Sequence, residues 1–574
     1  MEQRTRWPRP FGALRQALAE GYRAADLKAD LVAGAVVGTV AVPLSMALAV
    51  ASGMPPQHGL YTAIVAGVVT ALAGGSRFQV SGPTAAFVVL LAPVAAAHGP
   101  AGLLVASLLA GLLLVGFAVA GLGRLIEFVP YPVTLGFTAG IAVVIATLQL
   151  RDLLGLDVGA LPEHFVDKAV VLLAALPTTS APDLAVGLFT LALLVALPRL
   201  TRRLPAPLVA LTLAAVAAAA LAAAGHSAVT LADRFSWQAA GEAGRGIPPL
   251  PPLPGLPWLA AGADGAPLGL SLGLVRELLP AAVAIALLGA IESLLSAVVA
   301  DGMTGTRHDP DGELLAQGLG NLVAPFFGGF AATGALARTA TNVRAGARTP
   351  LAAVFHALFV LASMLALAPL LGYLPMAALA ALLLVVAWNM AELRHVARVV
   401  RASPRSDVFV LLTCLALTVV FDMVIAVAVG VVLASLLFMR RMAEVSGTQL
   451  LAADSHPLAA GLPPSVVVYE VAGPLFFGAA SKAMGALSRV AVGVRVVLLD
   501  LSAVPALDAT GLVALEAAVG KLTAGGIAVV LGGVQPQPLR ALARAGFRGR
   551  VAIHRRLERA VETARRRAEQ EVTE

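Results

Sequence analysis

Apolar runs of about twenty residues, each long enough for one helical crossing of a bilayer, recur over 31–438 and are parted by short polar breaks. The first run, 31–50, ends at the turn Met54-Pro55-Pro56-Gln57-His58-Gly59, and a shorter run, 61–73, follows. The segment GGSRFQVSGPTAAF, 74–87, then breaks the pattern. Phe78, Gln79 and Val80 read as extended, and Gly82-Pro83-Thr84 leads into a new apolar helix with Pro83 in its first turn. Non-helical backbone at membrane depth is tolerated only where protein or a water-filled cavity covers it, so this break marks a candidate site. Further runs at 102–122, 129–150, 184–197 and 208–224 complete a first half.

A Pro/Gly-rich stretch, 225–272, reads as an extended linker. After it the order repeats. An apolar run containing Glu292 (278–300), a short run (314–327), a Gly-rich break (328–334) and a helix start near Ala335 match 31–87. If each half crosses the membrane an odd number of times, the second is inverted relative to the first. Short, interrupted segments at matching places in two halves point to a transporter binding site. Glu292, and Arg338 in its Gly/Ala/Thr-rich setting, are costly inside a span and therefore read as functional.

Beyond residue 442 the pattern changes. SVVVYEV, VRVVLLDLS and IAVVLGGV read as buried strands, and 479–490, 510–523 and 537–545 as helices, which gives a soluble α/β domain ending in a charged helix. The chain thus divides into an N-terminal segment (1–27), a transmembrane part (28–442), a linker (443–464) and the α/β domain (465–574).

Composition excludes an ordinary soluble protein: 59% of residues are hydrophobic and 13% charged. The net charge of +7 does not signal nucleic acid, because the arginines lie in short clusters between apolar runs. Arg199, Arg202 and Arg203, then Arg394, Arg398, Arg401 and Arg405, then Arg440 and Arg441, mark cytoplasmic loops. Both termini fall on that side of the inner (plasma) membrane, with Arg4, Arg6, Arg9, Arg15 and Arg23 near lipid headgroups. The lone Cys414 reads as a packing residue.

Glu292 and Ser296 are four apart and share one helix face. Burial favours the neutral form of a carboxylate, which suits Glu292 to carrying a proton. Sodium is the alternative ion and needs several oxygens, for which Ser293, Ser296 and backbone carbonyls are at hand. No grouping of nucleophile, base and oxyanion donors and no Cys/His spacing indicates an enzyme, a metal or a cofactor.

The segments VAGAVVGTVAVPLSMALAVASGMPPQHGLYTAIVAG, GGSRFQVSGPTAAF and LGFTAGIAVVIATLQL resemble the SulP family of anion transporters, and the C-terminal domain resembles its STAS domain. The resemblance covers nearly the whole chain. It implies a polytopic α-helical fold of about fourteen membrane segments in two inverted repeats of about seven, divided into core and gate, with elevator-type movement. It also implies a homodimer and a small-anion substrate such as a dicarboxylate, sulfate or bicarbonate. Two half-helices would face that anion, beginning at Ser81, Gly82, Pro83 and Thr84 and at Ala335, Ala337 and Arg338, where free N–H groups and the positive dipole end favour negative charge. Many members of that family carry a glutamine just after the proline of the first span. Here Leu44, Ser45 and Met46 follow Pro43, with Ser45 as a weaker polar substitute. In the STAS domain Asp508 is retained, but Ala509 stands where some relatives carry a phosphorylatable serine. Asp508 and the nearby Thr510 are the regulatory candidates, with a cytoplasmic partner as the reader. A sodium symporter, a passive anion channel and a STAS-based signalling scaffold are the competing readings.

Overall fold

The computed structural model describes all residues except 1–7, 9, 125–128, 160, 163, 202–204, 240–241, 422, 446, 452–461, 477–479, 481–483, 485–492, 548 and 571–574. The chain forms two compact units, Met1–Val431 and Val432–Glu574.

The first unit is helical. A short amphipathic helix, α1 (Gly12–Ala19), precedes α2 (Ala24–Ala51), α3 (Pro56–Ala73), the two-residue strand β1 (Ser81–Gly82) and α4 (Ala85–Val119). Next come α5 (Tyr131–Leu153), α6 (Phe165–Ala174), α7 (Ala181–Leu200) and α8 (Ala206–Ala223). The linker holds a one-turn helix, α9 (Leu231–Arg234), and a hairpin of β2 (Ser236–Ala239) and β3 (Glu242–Arg245). Then follow α10 (Leu272–Thr304), α11 (Pro310–Val323), β4 (Thr333–Gly334), α12 (Leu336–Arg344), α13 (Leu351–Leu371), α14 (Met376–Met390), α15 (Leu393–Ala402), α16 (Arg405–Val420) and α17 (Met423–Val445), the last of which runs on past Val431.

Helix α4 is two helices joined at Gly99, whose φ of 67° and ψ of −171° no helix accommodates. Among the described residues, its two arms with α2, α3, α5, α7 and α8 make seven apolar segments, and α10–α14, α16 and α17 make seven more. Nine of the described helices are long and apolar enough to cross a membrane unaided. Of the rest, α3, α11 and α12 are short because the sequence breaks them at 74–84 and 328–335.

Two helix groups result. Helices α2, α3, α4, α10, α11, α12 and α13 pack on one another, and α5, α7, α8, α14 and α16 form the second group, meeting the first chiefly along α2 with α14 and α4 with α5. Close packing in the first group needs small residues: a Cβ on Gly34 would lie 2.7 Å from Ala352 O, and one on Gly38 would overlap the Phe359 ring. Strands β1 and β4 pair antiparallel with Ser81 opposite Gly334 and Gly82 opposite Thr333. Each precedes a helix that starts inside the fold, so the halves meet about a local two-fold at Gly82 and Thr333.

The second unit is a sheet ordered β5 (Gly447–Leu451), β6 (Val466–Ala472), β7 (Val496–Asp500), β8 (Ala528–Gly532), β9 (Ala552–Ile553). Only the β5–β6 pair is antiparallel. Alternate strand residues face opposite ways. Tyr469, Val471, Val497, Leu499, Val529 and Leu531 pack under α18 (Ala509–Ala524) and α19 (Pro536–Arg544), with Leu515, Val519 and Leu542 above them. Val466, Val468, Val496, Leu498 and Val530 are covered by Ala560, Ala564 and Ala568 of α20 (Leu557–Gln570). The three expected strands and two of the expected helices are present, and most of 479–490 lies outside the described residues. The stretch read as linker, 443–464, contributes the edge strand β5. Its Gly447-Thr448-Gln449 opening lacks an apolar alternation that would have announced a strand.

Candidate functional site

Between the two helix groups lies a cavity of about 330 Å³. The first group lines it with Leu44 and Leu48 of α2, Pro83 and Thr84 ahead of α4, Glu292 and Leu295 of α10, and Ala335, Leu336, Ala337 and Arg338 at the start of α12. The second group contributes Phe137 and Thr138 of α5, Val386, Asn389 and Met390 of α14, and Glu392.

Both half-helices present their N-termini here. Thr84 is the N-cap of α4 with extended backbone (φ −123°, ψ 155°), so Pro83 precedes the helix instead of sitting in its first turn. Its carbonyl is thereby free to accept from Arg338 Nη2 at 3.1 Å. The Thr84 hydroxyl does not cap its own helix; it donates to Glu292 Oε2 at 2.9 Å. Ala335 caps α12 and has no side chain with which to do so. Free N–H groups at both starts give an anion donors and the positive ends of two helix dipoles.

Arg338 is 3% exposed. Its Nη2 also reaches Ser45 Oγ at 3.3 Å, whereas Nε and Nη1 have no hydrogen-bond partner. The guanidinium lies against Gly82, where a Cβ would overlap Nη1. A buried, half-satisfied cation is costly, and an anion beside it offsets that cost. No ion pair among the described residues joins Arg338 to Glu292.

The other expected residues support the site from behind. Ser81 Oγ accepts from Gln317 Nε2 at 2.6 Å, away from the cavity. Ser296 shares the helix with Glu292, but its hydroxyl donates to Thr339 Oγ1 at 3.0 Å, and that oxygen also accepts the Val80 N–H at 3.1 Å. In the second unit, Asp508 Oδ1 caps α18 by accepting the Gly511 N–H at 2.7 Å, and Thr510 is exposed.

A second buried carboxylate, Glu313 on α11, escaped the sequence reading, which started that span one residue later. Its Oε2 accepts the N–H groups of Gly75 and Ser76 at 3.1 Å each, and its Oε1 accepts from Gln79 at 2.9 Å and Gln317 at 3.1 Å. Gln79 also reaches Ser293 Oγ at 2.6 Å. Glu313 therefore holds the extended segment that carries β1 and the first half-helix. The signal was present, since Glu313 and Gln317 are four apart in an otherwise apolar short run.

Two repeats of seven helical segments around paired half-helices, followed by a mainly parallel α/β domain, define a polytopic membrane protein of the inverted-repeat transporter class. Known proteins narrow the class. The sulfate permease family model matches residues 27–414 and the STAS domain model matches 459–564. The chain belongs to the sulfate permease (SulP) family and carries a C-terminal STAS domain. It is 38% identical over 511 residues to "Putative sulfate transporter YvdB" of Bacillus subtilis (strain 168), covering 88% of this chain and 91% of that protein. It is 30% identical over 502 residues to the bicarbonate transporter BicA of Picosynechococcus sp., covering 83% and 84%. A solved structure of SLC26A9 superposes with a TM-score of 0.81 over 98% of this chain and 94% of that one; at 18% identity the likeness is one of fold.

Proposed function

We propose that the protein is a secondary active transporter of small anions in the plasma membrane, coupled to protons through Glu292. Alternating access comes from movement of the first helix group, with its half-helices, past the second. The carrying observation is that one cavity at the boundary between these groups holds both half-helix starts, Glu292 and the half-satisfied Arg338. Relatives named as sulfate and bicarbonate transporters support an inorganic anion, and dicarboxylates remain in the same chemical class.

The two buried carboxylates have unequal surroundings, which supports the choice of coupling group. Glu313 receives four hydrogen bonds, which engage both of its oxygens in holding the first break in place. Glu292 receives one, from a hydroxyl that also accepts a bond when the acid is protonated. Sodium coupling is the second reading. It would need more oxygens around Glu292 than Thr84 supplies, and the Ser296 hydroxyl is engaged with Thr339. The STAS domain is read as regulatory, with a cytoplasmic partner, in a homodimeric assembly.

The test is uptake of labelled sulfate, bicarbonate and a dicarboxylate by purified protein in liposomes, with a proton gradient, a sodium gradient or neither. Accumulation driven by protons alone supports the reading. Flux that only ever equilibrates makes the protein a channel, and accumulation that follows sodium replaces the proton.

A further inference from the structure

Three ionisable side chains are among the described residues that line the cavity: Glu292, Arg338 and Glu392. The first two belong to the coupling and anion-binding device. Glu392 has no part in it. It stands between α14 and α15, caps α15, and holds a left-handed backbone (φ 43°, ψ 42°) that non-glycine residues seldom adopt. The chain turns sharply there, bringing Glu392 to the cavity along with Asn389 and Met390 at the end of α14. Its carboxylate pairs with His395 Nδ1 at 3.0 Å and is 44% exposed, so it sits at the rim in contact with water.

The surrounding charge is of the opposite sign. Arg394, Arg398 and Arg401 on α15 are exposed and none lines the cavity. Such a cluster attracts a dianion about twice as strongly as a monoanion, but it lies outside the cavity lining, of which Glu392 is part. The rim carboxylate then repels a dianion about twice as strongly as a monoanion. Inside, the walls are largely apolar, with Leu44, Leu48, Phe137, Leu295 and Val386 around one guanidinium. With Glu292 protonated, the lining carries one positive and one negative charge. A monoanion leaves one uncompensated charge in this chamber and a dianion two, and uncompensated charge in apolar surroundings is costly.

We infer that Glu392 is a specificity-determining residue that biases the transporter toward singly charged anions, bicarbonate or a monocarboxylate, over dianions such as sulfate. The inference rests on the anion-transport reading above and names the substrate class of the same cavity.

The experiment uses full-length protein in liposomes with labelled formate, bicarbonate and sulfate, and reads KM for each at one pH where sulfate is fully divalent. Wild type is expected to show a lower KM for formate and bicarbonate than for sulfate. Glu392→Gln is expected to lower the sulfate KM about threefold and the formate KM by only about 1.7-fold, the square root of that factor. Asparagine tolerates the left-handed backbone well, so Glu392→Asn repeats the measurement without backbone strain. Glu392→Asp keeps the charge and is expected to keep the wild-type ratio. An unchanged sulfate-to-formate ratio in the neutral variants, or equal shifts for both anions, overturns the inference while leaving anion transport standing. Wild-type protein that moves none of the three overturns the transport reading instead.

Discussion

Thr84 Oγ1 donates to Glu292 Oε2 at 2.9 Å, so the cap of the first half-helix reports directly on the charge state of a carboxylate from the second repeat. Protonation alters this bond, and in the proposed reading the anion binds beside the same helix start. Glu292→Gln keeps the size and a hydrogen-bonding partner for Thr84. The variant is expected to fold, to bind anion, and to lose the dependence of uptake on the proton gradient; initial rates across a pH series, flat for the variant and rising toward acid for wild type, are the check. Thr84→Val removes this donor, and the pH at which uptake is half-maximal is expected to shift from the wild-type value; an unmoved profile would count against Thr84 as a partner of the coupling group.

Arg338 has two buried nitrogens without partners and a third shared between Ser45 and the Pro83 carbonyl. Arg338→Met should therefore leave apo stability equal or higher, while removing anion binding. In wild type, anion at a hundredfold excess over its Kd is expected to add about 2.7 kcal/mol of stability. Thermal melts with and without sulfate or bicarbonate separate the two proteins, and an anion-stabilised Met variant would count against the guanidinium as a binding group. Arg338→Lys keeps the charge without the planar fork and should weaken binding about tenfold.

Glu313 is a positioning residue. Glu313→Ala removes the acceptor for two backbone N–H groups and two glutamines, each left buried at a cost of about 1–3 kcal/mol. A drop in melting temperature together with a lower maximal rate is expected. Glu313→Gln keeps some acceptors and should sit between, with the pH profile of uptake unmoved because this carboxylate does not carry the proton.

The edge strand β5 bears on how the STAS domain can be removed. A cut after residue 464 leaves Gly447–Leu451 without its partner β6 and exposes an unpaired strand. A cut after 446 removes both. The shorter protein is expected to remain monodisperse and to transport, whereas the longer one aggregates; size-exclusion profiles and liposome uptake of the pair decide it. Inert protein from the shorter cut, if folded, would favour the signalling-scaffold reading.

The helix order, the matched breaks and both half-helix starts were legible because backbone interrupted in an apolar run leaves a mark in composition. What stayed hidden is pairwise. Ser296 reads as a partner of Glu292 from its spacing, but the fold turns its hydroxyl to Thr339, a residue no periodicity connects to it. Glu392 carries no mark in the sequence, and only the turn after α14 brings it to the cavity. Pro83 reads as a first-turn proline but stands two residues before the first helical residue, Ala85, since proline suits both the first helical position and the residue before the cap.

The pairing of β1 with β4, and of Arg338 with the Pro83 carbonyl 255 residues earlier, also sets a timetable for biogenesis. At roughly 5–20 residues per second, the first half-helix leaves the ribosome roughly 10–50 s before the guanidinium that it will hold. During that interval its start has neither its strand partner nor Glu313, so the nascent first repeat carries unpaired backbone that only the second repeat can cover. The two repeats are therefore obligate companions in synthesis, and a chain stalled in the linker is a natural substrate for membrane quality control.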